Sequence, residues 1–72
     1  MSDTVDARGL SCPQPVLMTL EAISKAKKGE MTILVDTDTS KENVLRSVSS
    51  MGWDVLAVQN EGDVYRIVIN KG

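Results

Sequence analysis

Met31-Thr32-Ile33-Leu34-Val35 is a short apolar run between Lys28-Gly29-Glu30 and Asp36-Thr37-Asp38-Thr39. Its β-branched and aliphatic content, with no polar face, reads as a largely buried strand. The flanks decide what kind of sheet it enters. Upstream, the segment from Pro13 to about Lys28 places Val16, Leu20 and Ile23 at i, i+4 and i+7, with Leu17 widening the stripe. That spacing predicts an amphipathic helix. Lys25, Lys27 and Lys28 fall in its last turns, where cations suit the negative end of the dipole, and Gly29 is a natural C-cap. Downstream, Thr39 and Glu42 match a capping box, which predicts a second helix starting near Ser40. Val44, Leu45, Val48 and Met51 form its stripe, and Gly52 closes it, with Trp53 packing behind as a staple.

Outward from this centre, Thr4-Val5-Asp6-Ala7-Arg8 alternates as a short first strand, and Gly9-Leu10 turns the chain. At the other end, 54–58 and 64–69 read as strands of a hairpin joined around Asn60-Glu61-Gly62-Asp63. In the last strand Tyr65, Ile67 and Ile69 share one face and are the core candidates; Val64, Arg66, Val68 and Asn70 share the other. The order is βαβαββ. A strand–helix–strand unit requires a parallel pair, and the closing hairpin must be antiparallel. The expected class is α/β of the α+β type: a two-layer sandwich in which a mixed four-stranded sheet carries both helices on one face. The chain is expected to form a single domain over 1–72.

Composition narrows the function. A chain of 72 residues buries only roughly 60% of its unfolded surface, which leaves little room for a deep substrate pocket. With 8 basic and 10 acidic side chains, the net charge of −2 lacks the basic excess of an autonomous nucleic-acid binder, so no direct nucleic-acid partner is expected. Trp53 and Tyr65 are too few for a stacking platform. No apolar run approaches the ~20 residues that span a bilayer, and the first residues lack the pattern of a secretion signal. One cysteine cannot form an internal disulfide, which fits a reducing cytoplasm. Histidine is absent, which removes Cys–His and Ser–His catalysis and His-containing metal sites; no metal and no cofactor are expected. Asp36 and Asp38 read as turn and cap residues, since two carboxylates make a poor metal site.

The chemistry then falls to Ser11-Cys12-Pro13-Gln14-Pro15, where the first helix begins. Pro13 suits position N1, which makes Cys12 the expected N-cap, with the extended backbone that a residue before proline adopts. Pro15 also lies in the first turn, where no backbone hydrogen bond is forfeited, and it pushes Gln14 away from the helical region. A thiolate at a helix N-terminus is stabilised by the dipole, so the Cys12 pKa should be moderately depressed. Arg8, across the Gly9 turn, is the candidate electrostatic support. A lone cysteine is as often a small buried hydrophobe, and on residue chemistry alone both readings stand.

The run Asp6-Ala7-Arg8-Gly9-Leu10-Ser11-Cys12-Pro13-Gln14-Pro15-Val16 resembles the CPxP signature of the TusA/SirA-like family. Lys28-Gly29-Glu30, Ser40-Lys41-Glu42-Asn43-Val44 and the closing Asn70-Lys71-Gly72 extend the resemblance along the chain, closest to the YedF branch. The resemblance implies the same βαβαββ sandwich. It also implies a sulfurtransferase that carries sulfur as a persulfide on Cys12, with Gly9, Pro13 and Pro15 as the scaffold. Implied partners are a persulfide donor of cysteine desulfurase or rhodanese type and a sulfur-acceptor protein. The chain departs from the tRNA-thiolation members, which carry Asp-Asp-Pro before the second helix where this chain has Asp36-Thr37-Asp38. The alternatives are a non-catalytic interaction or regulatory module with an inert Cys12, and a selenium carrier.

Overall fold

The computed structural model describes residues 3–10, 14–26 and 29–72. The elements are β1 (Asp3–Asp6), α1 (Gln14–Ala26), β2 (Gly29–Val35), α2 (Asp38–Ser50), β3 (Asp54–Glu61) and β4 (Val64–Lys71), the expected βαβαββ order. The strands form one four-stranded sheet in the order β1-β2-β4-β3. β1 runs parallel to β2, and β4 pairs antiparallel with both β2 and β3.

Register aligns the core. Val5, Ile33 and Ile67 lie opposite one another in a buried row across three strands, which ends on exposed Val58 of β3, and Met31 pairs with Ile69 beside it. Met31, Ile33, Val35, Ile67 and Ile69 are buried, while the alternate residues Thr32, Leu34 and Val68 are only half-buried. A strand's period of two therefore puts one apolar face under both helices. Each buried Ile contributes roughly 1.5–3 kcal/mol relative to exposure. Tyr65, Ile67 and Ile69 face inward as the alternation predicts, Tyr65 at the margin.

Several expectations from periodicity need correction. The first strand ends at Asp6, although Ala7 N–H still donates to Leu34 O at 2.9 Å. The buried line of α1 is Pro15, Thr19 and Ile23; Val16 and Leu20 pack at its side, and Leu17 is exposed. Thr19 fits inside because its hydroxyl donates to Pro15 O at 2.8 Å, satisfying its polar atom within the helix. Gln14 is helical despite the proline that follows it, and Pro15 itself is buried. Lys27 and Lys28 lie outside the described residues. Gly29 has φ +105 and already opens β2.

The second helix starts earlier than the capping box predicts. Thr37, not Thr39, is the N-cap: its backbone is extended and its hydroxyl accepts from Ser40 N–H at 3.1 Å. Two threonines offer the same chemistry, and the end of β2 decides between them. The register holds as far as Val35 opposite Tyr65, so the chain must turn immediately afterwards. At the far end, Gly52 (φ +84) donates to Ser49 O and Trp53 N–H donates to Val48 O, the paired bonds of a Schellman motif. Trp53 joins Val48 in the core, as a staple should. That turn carries Met51 outward, so Met51 is exposed and does not belong to the stripe.

The helical layer leaves much of β3 uncovered. Val55, Leu56 and Val58 are exposed on this edge strand, and a register shift between Val55 and Ala57 interrupts its ladder. Such irregularities discourage edge-to-edge pairing.

Candidate functional site

Because β1 and β2 are parallel, α1 and α2 both begin at the carboxyl end of the sheet. The positive ends of two helix dipoles therefore converge on the region that receives the turn after β1. The β3–β4 turn at Gly62-Asp63 reaches the same end, since Tyr65 pairs with Val35.

Three successive residues leaving β1 are each fixed by a different neighbour. Ala7 is fully buried and bonded to β2. Arg8 folds back on Asp6 with a bidentate pair, Nε to Oδ1 at 2.8 Å and Nη2 to Oδ2 at 2.7 Å, and its own N–H reaches Oδ1 at 3.2 Å. These hydrogen bonds hold the Asp6 carboxyl at about 2, below the usual 3.8, and raise the Arg8 guanidinium. Gly9 N–H donates to Asp36 Oδ2 at 2.7 Å, a contact between residues 27 apart in the chain. Gly9 has φ +77, the left-handed region where glycine carries no side-chain penalty.

Of the site residues proposed from sequence, Cys12 and Pro13 lie outside the described residues, as does Ser11. Gly9 and Pro15 bracket them. Ala7 and Pro15, on either side of them in sequence, are both buried in the sandwich. Arg8, expected as electrostatic support, has its guanidinium engaged by Asp6, with both side chains about half exposed at 50% and 51%. Leu10, Leu17 and Met18, which flank the bracketed segment in sequence, are exposed apolar side chains.

Sequence reasoning missed two partners here. Asp6 was visible only as the acidic member of the motif, and Asp36 only as a turn residue. The i, i+2 spacing of Asp6 and Arg8 could have signalled their pair; nothing local could have signalled Asp36 and Gly9.

A polar cleft of about 370 Å³ at this end is lined by Asp36, Thr37, Asp38, Gly62, Asp63 and Tyr65. Tyr65 OH donates to Asp38 Oδ1 at 2.5 Å, which raises the phenol pKa, and Lys41 Nζ sits 4.8 Å from the ring centroid. Among the described residues no group of three or more metal-ligating side chains could hold an ion. A second groove, of about 310 Å³, runs between β1 and α1 and is lined by Thr4, Val5, Met18 and Ala22 with Asp6, Glu21 and Lys25. No helix among the described residues is long and apolar enough to cross a membrane.

Comparison with known proteins agrees with this architecture. The crystal structure of a SirA-like protein from Desulfitobacterium hafniense superimposes with a TM-score of 0.87 at 30% identity, covering 97% of each chain. YrkI of Bacillus subtilis, provisionally named a sulfur carrier protein, is 38% identical over 99% of this chain and 97% of its own. YedF of Escherichia coli, named in the same way, is 35% identical over 93% of this chain and 88% of its own. An uncharacterized protein of Methanocaldococcus jannaschii is 31% identical over 96% of this chain, which spans only 26% of that relative's length. Residues 3–71 match the family described as sulfurtransferase TusA, and the chain belongs to that family of sulfur carriers.

Proposed function

We propose that the chain carries sulfur as a persulfide on Cys12 between a donor and an acceptor protein in the cytoplasm, as a single carrier unit. The observation that carries this reading is the pairing of family membership with a chain that has one cysteine and no histidine. Cys12 is the only thiol available, and it must act without an internal imidazole base.

Thiol–persulfide exchange has no need of one. The Cys12 thiolate attacks the outer sulfur of a donor persulfide; the donor's S–S bond breaks, its cysteine leaves as thiolate, and Cys12–S–SH forms. An acceptor thiolate then attacks the terminal sulfur, and Cys12 leaves as thiolate. One sulfur atom moves and no external oxidant or reductant enters. Exchange is fastest when the attacking thiol has a pKa near ambient pH. A cysteine desulfurase or rhodanese-type enzyme fits the donor role. The exposed Leu10, Leu17 and Met18, on both sides of Cys12 in sequence, offer apolar surface for a protein partner and support a protein-to-protein transfer.

Incubation with a cysteine desulfurase and cysteine should add about 32 Da to the intact chain, one sulfur atom, removable by reductant. Cys12→Ser should abolish the adduct and leave the circular dichroism spectrum unchanged. Selenocysteine in place of cysteine, with the same desulfurase handing on zero-valent selenium, tests the selenium alternative by the mass gained. An unmodified wild-type chain, with the desulfurase active on another carrier, would refute the proposal.

A further inference from the structure

We infer that Asp36 is a positioning residue for sulfur transfer: it fixes the turn at Gly9, three residues before Cys12 in the chain. The inference rests on the carrier reading above. The bond from Gly9 N–H to the Asp36 carboxylate is short, at 2.7 Å, and it joins the two chain ends just beyond the β1–β2 ladder. A carboxylate accepting a backbone N–H makes a stronger and better-directed bond than a neutral acceptor.

Both ends of this bond are set up for the purpose. Asp36 directly follows Val35, which is buried and paired with Tyr65, and it precedes Thr37, the N-cap of α2. Its backbone is therefore fixed by a strand on one side and a helix on the other, and its side chain transmits that fixed position to the turn. Gly9 stands three residues before Cys12 in a left-handed conformation, two residues past the Ala7 bond to β2, and its own N–H is held by Asp36. Among the described residues beyond Gly9, the next buried one is Pro15. The observed role of the Asp36 carboxylate is to accept the Gly9 N–H.

Positioning and charge separate cleanly in two variants. Asp36→Asn keeps an oxygen that can accept the Gly9 N–H and removes the charge; Asp36→Ala removes both. Sulfur loading from a desulfurase persulfide should slow about tenfold in Asp36→Ala, because transfer between two proteins depends steeply on the geometry of attack. Asp36→Asn should restore the rate to within about twofold of wild type. Iodoacetamide, which approaches without a docked geometry, should alkylate all three proteins at rates within about twofold of one another. Rates are compared at a temperature where circular dichroism shows each protein fully folded. Equal rates in Asp36→Asn and Asp36→Ala, whether both slow or both normal, would overturn the positioning role. A wild-type protein that acquires no sulfur would overturn the carrier reading and this inference with it.

Discussion

Gly9 and Gly62 offer a matched pair for asking whether the turn before Cys12 matters to the chemistry. Gly9 has φ +77 and Gly62 has φ +66, and a Cβ added to either would meet nothing within 4 Å. Alanine at either position is therefore penalised by backbone conformation alone, about 1–2 kcal/mol for the left-handed region. Restricting the unfolded chain returns about 0.5 kcal/mol, leaving a net loss of about 1 kcal/mol for each. In a domain of this size that lowers Tm by roughly 4–8 °C. The two variants should thus melt together, below wild type. Their effects on transfer should diverge: Gly62 caps the β3–β4 hairpin, whereas Gly9 leads into Cys12 and donates to Asp36. Sulfur loading followed by intact mass, well below both melting temperatures, should be near the wild-type rate in Gly62→Ala and slowed by about fivefold or more in Gly9→Ala. Equal slowing in both would show that loss of stability, not the turn, governs the rate. A normal rate in Gly9→Ala would refute the link between the turn and the sulfur.

Two further outcomes follow from the caps and charges. Thr37→Ala should lower stability by about 1 kcal/mol in denaturant titration, while Thr39→Ala, at an exposed position inside the helix, should be close to neutral. The Asp6 carboxyl should titrate at about 2 by NMR and return toward 3.8 in Arg8→Ala, because the Arg8 hydrogen bonds hold it down. Its folded value is depressed, so its contribution to stability is present above about pH 4 and is lost as pH falls toward 2. The pair is half exposed and screened, so the slope from this group should be shallow.

The amino-acid order by itself determined the elements and the inward face of β4. Those depend on periods of 3.6 and 2, which are local properties of the chain, and on glycine at turns such as Gly52. It also singled out Cys12, since a chain with one thiol and no imidazole leaves few other nucleophiles. The tertiary structure decided matters where two local solutions were nearly equal in energy. Thr37 and Thr39 are chemically equivalent caps, and the register of β2 against β4 chose between them. Leu17 and Met51 both fit a helical stripe, yet the rotation of α1 on the sheet placed Leu17 outside, and the turn that ends α2 placed Met51 outside. The contact between Gly9 and Asp36 existed in no local pattern. It forms only because a parallel pairing of β1 with β2 brings the ends of two distant strands together, and a hydrogen bond of under 3 Å is far more sensitive to that packing than to anything encoded nearby.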